Sequence, residues 1–226
     1  MLAGIKIRSQ LCWRALMAKD AMLKGYLQSL MPVIDESFME AELLAIDLEM
    51  TGLDANFDQI LSIGVVPIRR GQLILSEAQH KLVQIEGSVG QSATIHGILD
   101  AHLDAALTPE QAMAWFLTVS QGKVLVAHHA PLDLAFLQSG LQASLGEKTR
   151  LLAIDTLQLE KRRLLRQHEH LQEGSLRLGR SRARYGLPVY AAHNALIDAL
   201  ACGELLLAQV AAMGGANKVK IAELLA

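Results

Sequence analysis

The chain has 226 residues, of which 51% are apolar and 4% aromatic, and its formal net charge is −2. That length and apolar share exclude global disorder and allow one domain with a sizeable core, or one domain plus a small appendage. The near-neutral charge excludes a uniformly basic nucleic-acid binder, so any phosphate-binding surface must be local.

Two distant cysteines, Cys12 and Cys202, make a disulfide framework or a cysteine zinc site a poor reading and fit a reducing cytoplasm. Residues 1–19 carry bases and no acids, as mitochondrial transit peptides do. Arg14, Lys19, Asp20 and Lys24 interrupt the apolar stretches, so neither a secretory signal nor a membrane-spanning run is read, and no membrane partner is expected. A bacterial-type cytoplasmic protein is the expectation.

In chain order, Leu11, Ala15, Leu16, Ala18, Met22, Leu23, Leu27 and Leu30 recur at helical spacing. They predict one amphipathic helix over 10–31, broken near Gly25 and stopped by Pro32. Residues 1–40 are read as an N-terminal helical extension. The main domain, 41–213, opens on the apolar run Leu43-Leu44-Ala45-Ile46, as a buried strand does. A second strand is expected over Ile60–Ile68, a hairpin turn at Arg70-Gly71 and a third strand over Leu73–Val83. Ser92–Leu103 reads as short helical structure. Thr108-Pro109-Glu110-Gln111 starts a helix, with Thr as N-cap and Pro at the first position.

A fourth strand is expected over Lys123–Ala127, a helix over Pro131–Leu141 ending near Gly140, a fifth strand over Leu151–Ile154 and a helix from Thr156. A final long helix runs over 193–212, ended by Gly214-Gly215. Residues 214–226 form a short tail. Strands first and then alternating helix and strand predict an α/β sandwich with a mixed five-stranded sheet flanked by helices.

The chemistry gathers in three places. Asp47 and Glu49 sit at i and i+2 near the end of the first strand and so face one way. Two acids that close repel, and hard oxygen donors of this kind select Mg²⁺ or Mn²⁺. Asp133 follows Pro131 in the first turn of a helix, where an acid also complements the helix dipole. His193 and Asp198 stand five residues apart, about 140° on a helix. His193 is therefore expected just before the final helix, with Asp198 inside it.

DxE at a strand end, Asp133 after Ala127-His128, and HxxxxD opening a helix occur in that order. In this the chain resembles the DEDDh 3′→5′ exonucleases, the superfamily of the proofreading (epsilon) subunit of bacterial DNA polymerase III, over roughly residues 42–212. Asp155-Thr156 is similar to the family's strand-to-helix junction, and Tyr185-Gly186-Leu187-Pro188 to a lead-in to the third motif. Two departures stand in the second motif: His129 replaces the usual Asn and Leu132 the usual Phe.

The resemblance implies a ribonuclease H-like fold and two Mg²⁺ or Mn²⁺ ions, with Asp47 bridging both. Glu49 and Asp198 would complete the site of the attacking water, Asp133 would support the second ion, and His193 would act as general base. It also implies substrate contacts from Met50, Thr51, His96 (in an IHGI segment) and His128. Expected partners are DNA 3′ ends, or RNA in the runner-up reading, and a polymerase or other protein through the N-terminal helix. With about 14 residues after the last helix, a stand-alone or tethered enzyme is expected rather than a replicative proofreader.

Lys161, Arg162, Arg163, Arg166, Arg177, Arg180, Arg182 and Arg184 form a locally basic stretch against Glu169 and Glu173. It reads either as a phosphate-tracking patch or as a solvated helix and loop. The rival class is a catalytically silent binding or scaffold module, which has no use for clustered acids that repel phosphate.

Overall fold

A computed structural model describes residues 2–167 and 169–225; Met1 and Ala226, the outer ends of the expected extension and tail, lie outside the described residues. The N-terminal region forms two helices, α1 (Leu2–Met17) and α2 (Ala21–Leu30). The break falls at Asp20, not Gly25: the Asp20 carboxylate caps α2 by accepting from the Leu23 N–H, while Glu147 accepts from the Lys19 and Asp20 N–H groups. Gly25 lies inside α2 against Gln121. Leu11, Ala15, Leu23, Tyr26, Leu27 and Leu30 join the same buried cluster as the sheet, so these helices are packed onto the core.

The strands β1 (Leu43–Met50), β2 (Ile60–Arg69), β3 (Gln72–Leu73) and β4 (Gln79–Leu82) follow. Arg70 and Gly71 both take positive φ, 49° and 68°, which a two-residue hairpin with matching twist requires. The expected third strand is two strands, so the sheet has six rather than five. Pro67 explains the split. It has no N–H to donate, its carbonyl is taken by the Ile74 N–H, and residues 75–77 bulge away in a 3-10 turn before pairing resumes at Gln79↔Val65.

Next come α3 (Ala93–His96), α4 (Asp100–Leu103), α5 (Pro109–Ser120), β5 (Val124–Ala127), α6 (Ala130–Leu145), β6 (Ala153–Asp155) and α7 (Thr156–Leu165). The chain ends with α8 (Leu178–Ala183), α9 (Ala195–Ala212) and α10 (Ile221–Leu224). Thr108 caps α5 reciprocally with Gln111, as its sequence predicts. Helix α6 runs through Gly140, which instead lets α5 approach: a Cβ there would stand 2.9 Å from the Met113 sulfur. The helix ends at Gly146, whose φ is 70°.

The sheet order is β3-β2-β1-β5-β6, with β4 also pairing β2. Strand β1 is central, antiparallel to β2 and parallel to β5, which is parallel to β6. This is the mixed, ribonuclease H-like α/β arrangement expected. Helix α9 lies across β1 and β2. It is apolar and long enough by composition to cross a membrane, an exception to the sequence expectation, and half of it is buried inside the protein.

Two glycines set how closely α9 lies on the sheet. A Cβ on Gly64 would overlap the Ala195 carbonyl and the Leu196 nitrogen, and one on Gly203 would meet Leu73 at 2.7 Å and Ala45 at 3.3 Å. Gly64→Ala is therefore expected to push the start of α9 off β2. The expected loss is about 3 kcal/mol, read by urea unfolding, the upper end of overpacking costs because backbone must move. An unchanged midpoint would mean that α9 does not rest on this glycine.

Candidate active site

Asp47 and Glu49 share one face of β1, opposite Gly64 and Ser62 of β2. The register slips between Glu49 and Met50, ending regular pairing directly after the second acid. Because Gly64 admits the start of α9 beside Asp47, the first turn of α9 reaches these acids. Asn194 caps α9 by accepting from the Leu196 and Ile197 N–H groups at 3.1 and 3.2 Å. Asp198 follows in that turn and accepts from the His193 N–H at 2.7 Å. One carboxylate oxygen from each of Asp47, Glu49 and Asp198 lies within 4.8 Å of the others.

Asp133 arrives by a different route. Strand β5 runs parallel to β1 and ends at Ala127; after His128, His129 turns the chain with φ 74°, and α6 begins. Left-handed backbone is several-fold enriched in Asn, Asp and His. The His that replaces the usual Asn is thus compatible with the turn. Asp133 is 5% exposed and lies outside the close group of three, yet its charge acts on Asp47. Asp155 caps this corner: its Oδ1 accepts from the His129, Leu157 and Gln158 N–H groups.

All four acids are harder to ionise than usual. Burial raises Asp47 well above the usual carboxylate range, and the charges of Asp133, Asp198 and Glu49 add to it. Burial and the Asp198 charge lift Glu49 to about 7. Burial likewise lifts Asp133 to about 7; its own N–H and that of Leu48 oppose the rise, while Asp155 and Glu49 add to it. Burial raises Asp198 against the pull of the His193 and Asn194 N–H groups.

Among the described residues none of the four pairs with Lys or Arg. A largely buried all-oxygen cluster, with Glu49 and Asp133 buried and Asp47 and Asp198 half-buried, is stabilised in ionised form by another positive charge. The donor set fits a hard divalent cation.

The imidazoles differ in their freedom. His193 is exposed, with φ 68°. His96 accepts from the Ile98 N–H at 3.1 Å through Nδ1, while its buried Nε2 has no partner; burial and the nearby His193 hold its pKa down. His128 has both nitrogens engaged, Nδ1 with the Thr156 hydroxyl and Nε2 with the Leu176 carbonyl, each at 2.8 Å. A carbonyl only accepts, so Nε2 carries the proton. Met50 packs half-buried against the core. Thr51 closes its own loop, donating its hydroxyl to Asp58 at 3.2 Å and accepting from the Gln59 N–H at 3.0 Å.

Sequence reading missed Gly64, Asp58 and a latch on the loop that precedes His193. A glycine inside a strand is a recognisable mark of close backbone approach. The latch has no local mark. Buried Arg182 donates to the Pro188 carbonyl at 2.9 Å and to Glu204 at 2.6 Å and stacks on Tyr190 at 4.7 Å, whose hydroxyl also donates to Glu204.

Four clustered acids, Glu49 and Asp133 buried and Asp47 and Asp198 half-buried, lie beside the exposed His193, whose backbone N–H binds Asp198; this is the arrangement of one class, a metal-assisted hydrolase on a ribonuclease H-like fold. Residues 44–206 match the family model described as exonuclease, and the chain belongs to that family. It is 30% identical over 191 residues to the DNA polymerase III PolC-type protein of Thermotoga petrophila, covering 84% of this chain and 13% of that one. The chain thus spans only about an eighth of that relative's length.

Among solved structures, E. coli exonuclease I in complex with a dT13 oligonucleotide superposes with a TM-score of 0.62 at 14% identity, covering 74% of this chain and 40% of that one. The nuclease domain of 3′hExo, a DEDDh family member bound to rAMP, gives 0.63 at 16% identity, covering 80% and 96%. At these identities the likeness is one of fold.

Proposed function

We propose that this chain removes nucleotides one at a time from the 3′ end of a nucleic-acid strand, with DNA as the first substrate, releasing nucleoside 5′-monophosphates. The observation that carries this reading is the convergence of Asp47, Glu49 and Asp198 within 4.8 Å, with buried Asp133 acting on the same group. Asp47, Glu49 and Asp198 would hold one Mg²⁺ or Mn²⁺, and Asp47 with Asp133 a second. When bound, such ions supply charge neutralisation and Lewis-acid polarisation at the scissile phosphodiester.

In the hydrolysis a water oxygen bonds to phosphorus and the P–O3′ bond breaks. The phosphate stays on the released nucleotide, and the O3′ of the shortened strand takes a proton from solvent. His193 accepts the proton of the attacking water on an imidazole nitrogen. Its exposed position and its backbone tie to Asp198 support that role. His96, with an unpartnered Nε2 near His193, and Met50 are the better-placed substrate contacts. Thr51 and His128 already spend their polar groups on the protein, which favours positioning roles for them. A polymerase or other protein partner would meet Ile5, Trp13, Leu16 and Met17, exposed together on α1.

His193→Gln is expected to lower kcat by about 10²–10³-fold, within the usual range for loss of a general base. The Mn²⁺-induced gain in Tm should survive. The assay follows a 5′-labelled single strand shortening from its 3′ end. A variant within twofold of the parent would remove the imidazole from the mechanism. Faster shortening of a matched RNA would make RNA the substrate, and no metal-dependent turnover on either would favour the binding-module reading.

A further inference from the structure

The basic stretch 161–184 is sorted by the fold. Arg163 and Arg184 pair with buried Glu160, at 2.7 and 3.2 Å. Arg182 is buried with Glu204 at 2.6 Å. Arg177, the N-cap of α8, and Arg180 within it are exposed and form no ion pair among the described residues, whereas Ser181 and Arg182 are buried. Together with Gln172, Glu173, Ser175 and Arg184 they line an open hollow of about 750 Å³. The Ser175 hydroxyl is buried there without a partner.

This hollow is joined to the acids by rigid contacts. The Leu176 carbonyl, between Ser175 and Arg177, holds His128 at 2.8 Å, just past the end of the strand that leads into Asp133. On its other side α8 is tied to α9, the helix of Asp198, through Arg182 and the Ala201 carbonyl at 2.5 Å. The hollow therefore adjoins the elements that carry two of the four acids. Its lining holds three arginines against one carboxylate and no aromatic side chain. Such a surface suits phosphates and offers no stacking platform for bases.

We propose that this hollow holds the sugar–phosphate backbone of the strand being digested, upstream of the scissile bond, with Arg177 and Arg180 as its phosphate contacts. The inference rests on the nuclease reading above. It makes the binding independent of base sequence and dependent on strand length.

The test compares two substrates: a single-stranded oligonucleotide long enough to span the hollow, and the p-nitrophenyl ester of thymidine 5′-monophosphate, which has no upstream backbone. For Arg177→Ala/Arg180→Ala, KM for the oligonucleotide should rise about tenfold with kcat kept, and the slope of log KM against log salt should fall by about 1.4, two single-strand phosphate contacts. Both constants for the ester should stay unchanged. A double Lys variant should recover most of the salt slope. Equal changes on both substrates, or none on the oligonucleotide, would overturn the assignment. If the parent cleaves neither substrate, the nuclease reading fails instead. Binding of a fluorescein-labelled strand to Asp47→Asn, with and without the arginine pair, then decides the hollow by itself: a loss of about tenfold supports it and no loss overturns it.

Discussion

Asp47→Asn is expected to reduce metal-dependent trimming of a labelled 3′ end by on the order of 10⁴-fold or more, while leaving the protein folded. Asp47 is the acid on which the other three act: burial and the charges of Asp133, Asp198 and Glu49 all raise its pKa. An amide of the same shape keeps the strand packing and removes the anionic oxygen on which cation binding depends. It also relieves repulsion, so the metal-free variant should be at least as stable as the parent at pH 8. Two readings check this: the ladder assay with Mg²⁺ or Mn²⁺, and Tm with and without Mn²⁺. Activity within tenfold of the parent would move the chemistry away from β1.

The metal-free protein should lose stability as pH rises, opposite to the usual behaviour of carboxylates in ion pairs. A carboxyl whose folded-state pKa lies above its unfolded value binds its proton more tightly when folded. Its contribution is complete below the unfolded value and is lost as pH climbs through the folded one. For Glu49 that window runs from 4.5 to about 7, and Asp133 also reaches about 7. Glu49 is 8% exposed, so solvent screens it little. Its share alone is on the order of 3 kcal/mol, or roughly 6–12 °C in Tm for a chain of this size.

Divalent cations bind the ionised form, so the gain in Tm from Mn²⁺ should be larger at pH 8 than at pH 5. Thermal melts in EDTA and in Mn²⁺ across this range check both signs. A metal-free protein that gains stability from pH 5 to 8 would show that the acids are not crowded.

Local patterns carried much of the fold. The cap at Thr108, the Arg70-Gly71 turn and the apolar run into Asp47 are all short-range features, and the structure shows each where its sequence points. Three misreadings share a cause. Gly25 and Gly140 looked like helix breakers but are sites of close packing, with Gln121 and Met113. The third strand looked continuous because nothing within 73–83 reveals that its partner Pro67 lacks a donor.

By itself, then, the sequence determined which residues could do the chemistry: two acids at strand period, an acid in a helix's first turn, and a histidine just ahead of a helical acid. Those relations depend only on neighbouring backbone geometry. Tertiary structure alone decided that acids 151 positions apart, Asp47 and Asp198, meet. It did so because Gly64 leaves room for α9 on the sheet. It also decided which arginines are bound internally and which stay free, since an ion pair depends on what packs opposite, and that is set by the whole chain.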